Sequence, residues 1–161
     1  MCRLLRLRPG QPAHDAHTRL LDRRIVRSVK KPSPAAVRNV EVVRTLWDAM
    51  RDRDVGAAMA LVAPDPEWGP ITGEPAMRGR EAVEAYFGSF VNSGGLADAH
   101  ALAFEPLGSD HVLLSGALRI RRPDNWVTTV QRWWLYRLRD GLIVRAESCQ
   151  TRDEALAAID R

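Results

Sequence analysis

Residues 133–159 read WWLYRLRDGLIVRAESCQTRDEALAAI. Arg-Asp-Gly at 139–141 is a tight-turn signal between two segments of alternating side chains, and it predicts a hairpin with strands over about 126–138 and 142–151. Beyond it, Arg152 or Asp153 starts a short terminal helix with Ala155, Leu156 and Ile159 as its apolar side. The second strand is unusual. With unbroken alternation, Arg145, Glu147, Cys149 and Thr151 share one face while Val144, Ala146, Ser148 and Gln150 share the other. A half-buried strand has one apolar and one solvated face, and here both are mixed. An arginine, a glutamate and a thiol in a row fit the wall of a partly wet pocket, where polar groups pair or meet water.

Upstream, the chain changes period. Ser33 is a natural N-cap with Pro34 at the first helical position, where its missing N–H costs nothing. A helix follows, with Val40, Val43, Trp47 and Met50 at helical spacing and Val37 and Leu46 widening the stripe. Asp54 caps a second, shorter helix through Val62, ended by Pro64 and Pro66. From Pro64 to Pro75 the composition is that of a loop, with room for a short strand around Trp68. Gly79 opens a third helix, Arg80–Phe90, and strands are expected at about 98–105 and 111–121, bounded by GSD at 108–110 and RPDN at 122–125. Three helices followed by four strands predict an α+β domain with helices on one face of an antiparallel sheet.

The 161 residues suit one domain with its own core. Residues 1–34 hold nine of the 24 Lys and Arg against two acids, a net of +7, which leaves residues 35–161 at 15 against 18, or −3. The expected organisation is therefore a basic, disordered extension over 1–34 and a folded domain over 35–161. The extension lacks the apolar core of a secretory signal, and it has no recognition motif or interleaved aromatics, so nucleic acid is not the expected partner. Cys2 and Cys149 stand at opposite ends, so a reducing, cytoplasmic setting is expected. No apolar run has the length of a membrane span. His14, His17, His100 and His111 form no metal-binding pattern, and there is no phosphate loop, dinucleotide fingerprint or nucleophile elbow; neither metal nor cofactor is expected.

Three phrases, VVRTLWDAMRDRDVGAAMALVAPDPEW (42–68), MRGREAVEAYF (77–87) and the opening stretch, occur in an order and spacing that resemble the SnoaL-like branch of the NTF2-like superfamily, which also includes ketosteroid isomerase-like proteins. The resemblance implies a cystatin-like cone, in which a curved antiparallel sheet wraps around three N-terminal helices. It also implies a site between the concave face and the first and third helices. On Val127–Arg139 it places Arg132, Trp134, Tyr136 and Leu138 inside, and Trp133 and Leu135 outside as a homodimer surface.

The expected lining is Trp47, Trp68, Tyr86, Arg132, Trp134, Tyr136, Glu147 and Cys149, suited to stacking a small hydrophobic or aromatic molecule. Cys149 is read as a small buried hydrophobe rather than a nucleophile. Two readings stay open for Glu147. It is a structural ion-pair partner of Arg132, or it is the acid/base of a cofactor-independent isomerase, cyclase or hydrolase with Arg132 or Tyr136 steadying developing charge. The resemblance itself counts against known chemistry. The positions that carry the isomerase's tyrosine and two acids fall on Leu46, Gly69 or Pro70, and Trp134, and the cyclase's aspartate falls on Thr151. Binding without catalysis is therefore the first expectation.

Overall fold

The computed structural model describes residues 31–71, 75–92, 96–121 and 127–160. The basic extension, apart from its last four residues, and the RPDN turn lie outside them. In chain order the elements are helices α1 (Pro34–Arg51) and α2 (Val55–Ala60), strands β1 (Val62–Trp68) and β2 (Met77–Arg78), helix α3 (Arg80–Asn92), strands β3 (Leu96–Leu107), β4 (His111–Arg121), β5 (Val127–Arg139) and β6 (Leu142–Cys149), and helix α4 (Arg152–Ala157). The strands form one open, six-stranded sheet in the order β2-β1-β6-β5-β4-β3. All pairings are antiparallel except β1 with β6, which is parallel. Among the described residues no helix is long and apolar enough to cross a membrane.

The helix starts follow local chemistry. The Ser33 hydroxyl accepts from the Ala36 N–H, with Pro34 in the first turn, and the Asp54 carboxylate accepts from Ala57 N–H. Thr151 does the same for α4, accepting from Glu154 N–H, while the Glu154 carboxylate accepts from Gln150 N–H. The position where relatives were expected to carry an acid is thus used here as a helix cap. The second helix is shorter than its expected span and β1 longer, because Pro64 and Pro66 sit in the irregular stretch between the pairs Val62–Ile143 and Glu67–Arg145, where the ladder needs no N–H from them. Arg80 closes that stretch by donating from Nη1 to the Val62 carbonyl at 2.8 Å.

Two cores lie on opposite faces of the sheet. On the inner face, Val43, Leu46, Met59, Val83 and Phe87 of α1–α3 pack with Val112, Leu114, Leu118, Trp134, Tyr136, Leu138, Ile143 and Ala146 of the strands. On the outer face, Leu113, Leu135 and Cys149 are covered by Ala155 and Ala158, with Trp133, Leu156 and Ile159 half-buried around them. Within the chain, Trp133 and Leu135 of this outer face pack with residues of α4 and the segment after it. Leu135 is 5% exposed beneath α4. Arg152 holds α4 down by donating to both carboxylate oxygens of Glu105 at 2.8 and 2.9 Å.

The register of β6 answers the puzzle of its mixed faces. Pairing runs Trp133–Cys149, Leu135–Glu147 and Arg137–Arg145, then shifts by one residue to Leu138–Ile143. Val144 is the extra residue, a β-bulge. Ile143 and Ala146, which unbroken alternation separates, both reach the inner core, and Arg145, Glu147 and Cys149 are left on the outer face with Arg137, Leu135 and Trp133. The turn before this strand holds Asp140 at φ 52° and Gly141 at φ 78°, the doubly left-handed geometry of a two-residue hairpin. Replacing Gly141 by alanine is expected to cost about 1 kcal/mol, read as a lower urea midpoint at unchanged slope.

Candidate functional site

Helices α1 and α3 do not fill the inner face completely. A hollow of about 60 Å³ remains, lined by Leu46, Trp47 and Met50 of α1, Trp68, Gly69 and Ile71 at the end of β1, Tyr86 and Phe87 of α3, and Leu118, Trp134 and Tyr136 of the sheet. Trp68, Trp134, Tyr136, Phe87, Leu46 and Leu118 are buried, whereas Trp47, Met50, Ile71 and Tyr86 are half-buried and form its outer part. Leu46 and Met50 stand one helical turn apart with Trp47 beside them, which puts all three on one side of α1.

The aromatic rings hold one another. Trp47 meets Trp134 edge-on with centroids 4.7 Å apart, Trp68 meets Phe87 at 4.9 Å, and Trp68 meets Tyr136 at 6.1 Å. The Trp47 indole N–H donates to the Tyr136 hydroxyl at 2.8 Å and ties the two clusters together. Gly116, opposite Arg132 on the neighbouring strand, makes room for this arrangement. A Cβ there would stand 2.7 Å from the His100 carbonyl oxygen and 3.0 Å from the Trp134 ring.

Tyr136 is the buried titratable group of the hollow. Desolvation holds its phenol protonated above the ordinary tyrosine range; the hydrogen bond from Trp47 pulls the other way by favouring phenolate, and nearby Tyr86 adds a smaller upward push. It is a neutral hydroxyl at any physiological pH.

A sequence model of the SnoaL-like domain matches residues 43–146. The chain belongs to the SnoaL-like domain family. No curated protein matches it. Among solved structures, SalBIII, described as an epoxide hydrolase/cyclase-like enzyme with a role in pyran ring formation in the polyether salinomycin, is 16% identical at a TM-score of 0.64, covering 73% of this chain and 93% of its own. RV0760c of Mycobacterium tuberculosis, in complex with estradiol-17beta-hemisuccinate, is 19% identical at 0.61, covering 72% and 95%. An NTF2-like protein of unknown function from Burkholderia pseudomallei is 20% identical at 0.59, covering 77% and 98%. At these identities the likeness establishes the NTF2-like fold.

Within this SnoaL-like domain, five of the expected lining residues do meet at the hollow: Trp47, Trp68, Tyr86, Trp134 and Tyr136. Arg132 shares the inner face by register, two residues along from Trp134, but does not line the hollow. Glu147 and Cys149 do not reach it. Their register with Leu135 and Trp133 puts them on the outer face, because the Val144 bulge inverts the alternation. Cys149 is buried there against α4 as a small hydrophobe. Glu147 does have an arginine partner, but the partner is Arg145 rather than Arg132. Glu67 approaches the same guanidinium at 4.0 Å and reaches Arg78 at 3.6 Å, a row of alternating charge along the outer face. His111 is 8% exposed on that face with Nδ1 3.0 Å from an Asp110 oxygen. Among the described residues no three His, Cys, Asp or Glu side chains are grouped to hold a metal ion.

Sequence reasoning missed Leu46, Met50, Phe87 and Leu118 as lining because the apolar stripe that signals a core signals a cavity wall equally well. Gly69 and Ile71 carried no signal, since they follow a strand end in a Pro- and Gly-rich stretch.

Two measurements check this geometry. Gly116→Ala is expected to lose about 1–3 kcal/mol and to change the near-ultraviolet circular dichroism of the indoles as Trp134 is displaced. For Tyr136, the folded chain keeps a proton that the unfolded chain releases near pH 10, so its share of folding stability is intact below about pH 10 and falls as pH rises above it. Native wild type and Tyr136→Phe should show the same phenolate absorbance up to about pH 11, whereas in urea wild type should show one more ionisation.

Proposed function

We propose that this SnoaL-like protein binds a small, uncharged, aromatic or otherwise apolar molecule in the hollow between α1, α3 and the sheet. The observation that carries the reading is the composition of the wall. All 11 lining residues are uncharged and six are aromatic, which suits a flat apolar guest and makes desolvation of an ionic one costly. RV0760c, of the same fold, is in complex with estradiol-17beta-hemisuccinate, a steroid ester whose ring system is apolar although its succinate end carries a carboxylate.

Size narrows the guest. A cavity of about 150 Å³ admits benzene, and this hollow measures about 60 Å³. A guest of one ring therefore either extends past the half-buried rim or displaces a flexible rim side chain such as Met50. A fused polycycle is too large to lie wholly inside.

The alternative, acid/base catalysis by Glu147, lacks reach. A general base must lie within hydrogen-bonding distance of the proton that it takes, and Glu147 stands across the sheet from Tyr136 and Trp134. The protic side chains of the hollow itself are Trp47, Tyr86 and Tyr136, all neutral groups that can orient a guest. Binding without Glu147 chemistry is the reading that this wall supports.

Wild type is expected to take up toluene, seen as a change in tryptophan fluorescence. Met50→Trp, which fills the rim, should weaken uptake at least ~tenfold, whereas Glu147→Gln should leave it within about twofold because the side chain is on the other face. Absence of uptake by folded wild type would overturn the proposal. Native mass spectrometry of the protein purified from its producing cell should find a retained compound of about one-ring size.

A further inference from the structure

The hydrogen bond between Trp47 and Tyr136 has a fixed direction. An indole N–H only donates, so the Tyr136 oxygen must be the acceptor in this pair. The phenol proton is then directed elsewhere, and Trp47 is the hydroxyl's hydrogen-bond partner among the described residues. Because Tyr136 is 2% exposed and belongs to the wall of the hollow, its proton meets little bulk solvent and a guest seated there can compete for it. The oxygen that accepts from Trp47 is also polarised by it, which strengthens the hydroxyl as a donor.

Building on the small-molecule reading above, we infer that Tyr136, oriented by Trp47, is the specificity-determining donor of the hollow, and that the guest is a neutral single-ring compound with a carbonyl or similar oxygen acceptor. The acceptor is uncharged, because a carboxylate would enter a wall that offers it no cation. It is an acceptor rather than a donor-only group, because the phenol oxygen is already engaged. Discrimination follows from the buried donor. A guest of the same shape without an oxygen leaves that O–H unpaired, and unpaired buried groups are what make polar sites selective.

The test uses two probes of matched shape, acetophenone and α-methylstyrene, which differ by an oxygen in place of a CH₂ group. Wild type should bind the ketone roughly five- to tenfold more tightly than the hydrocarbon. Tyr136→Phe should abolish the preference by weakening the ketone while leaving the hydrocarbon within about twofold. Trp47→Phe keeps the phenol and frees its oxygen, so it should bind pyrrole, a donor-only ring, roughly threefold or more tightly than wild type does. That second variant reports on direction even if Tyr136→Phe is poorly folded. Equal binding of the two probes by wild type, or unchanged pyrrole affinity in Trp47→Phe, overturns the assignment of Tyr136 and leaves the hollow as an unselective apolar site. Failure of wild type to bind either probe overturns the small-molecule reading together with it.

Discussion

Between the pairs Arg137–Arg145 and Leu138–Ile143, strand β6 carries one residue more than its partner β5, and the side chains on either side of that bulge depend on it. Without Val144 as an extra residue, period-two alternation would set Ile143 and Ala146 on opposite faces and turn either an apolar side chain outward or a charged one inward. With it, both apolar residues reach the inner core and Arg145 and Glu147 pair on the outside. The apolar wall of the hollow exists because this register keeps ionic groups out of it.

Given that wall, the inner face is organised around rings rather than aliphatic layers. Rings are rigid and pack edge-on at fixed distances, so they can surround a space without collapsing into it, whereas flexible aliphatic chains would close it. The Trp47 N–H contact engages the phenol oxygen of Tyr136 as an acceptor and turns its proton away from Trp47 in a single interaction. Gly116 contributes by what it lacks, since any side chain there would contest the space of Trp134 and the His100 carbonyl. The outer face has a different character. Helix α4 covers Leu135 and Cys149, and the Arg152 bridge to Glu105 ties it to the edge strand β3. Thr151, where the resemblance implies an acid in cyclases, caps that helix through its own hydroxyl.

The family, the α+β class and the order of elements were legible in the chain because each rests on local chemistry. Ser33-Pro34, Asp54 and Thr151 cap helices through their own neighbours, and Asp140-Gly141 turns a hairpin through backbone angles that few other pairs adopt as readily. Five aromatic members of the wall were also legible, since Trp47 lies on a helical stripe and Trp134 and Tyr136 share one parity of a regular strand. Arg132 shares that parity too, yet parity says only which face a residue takes and not how far along the strand the hollow extends.

Glu147 and Cys149 show where local reading ends. Their face depends on one inserted residue, and the insertion is visible only when β6 is laid against β5, because no residue type at 143–145 demands a bulge. The same holds for Trp133 and Leu135. A sequence shows them as outward and apolar, but their packing with the terminal helix depends on where α4 comes to rest. Helix caps, turns and period are properties of neighbours along the chain and can be read there. Register, facing and the volume left between helices and sheet arise from pairing distant segments, so the tertiary structure alone decided them.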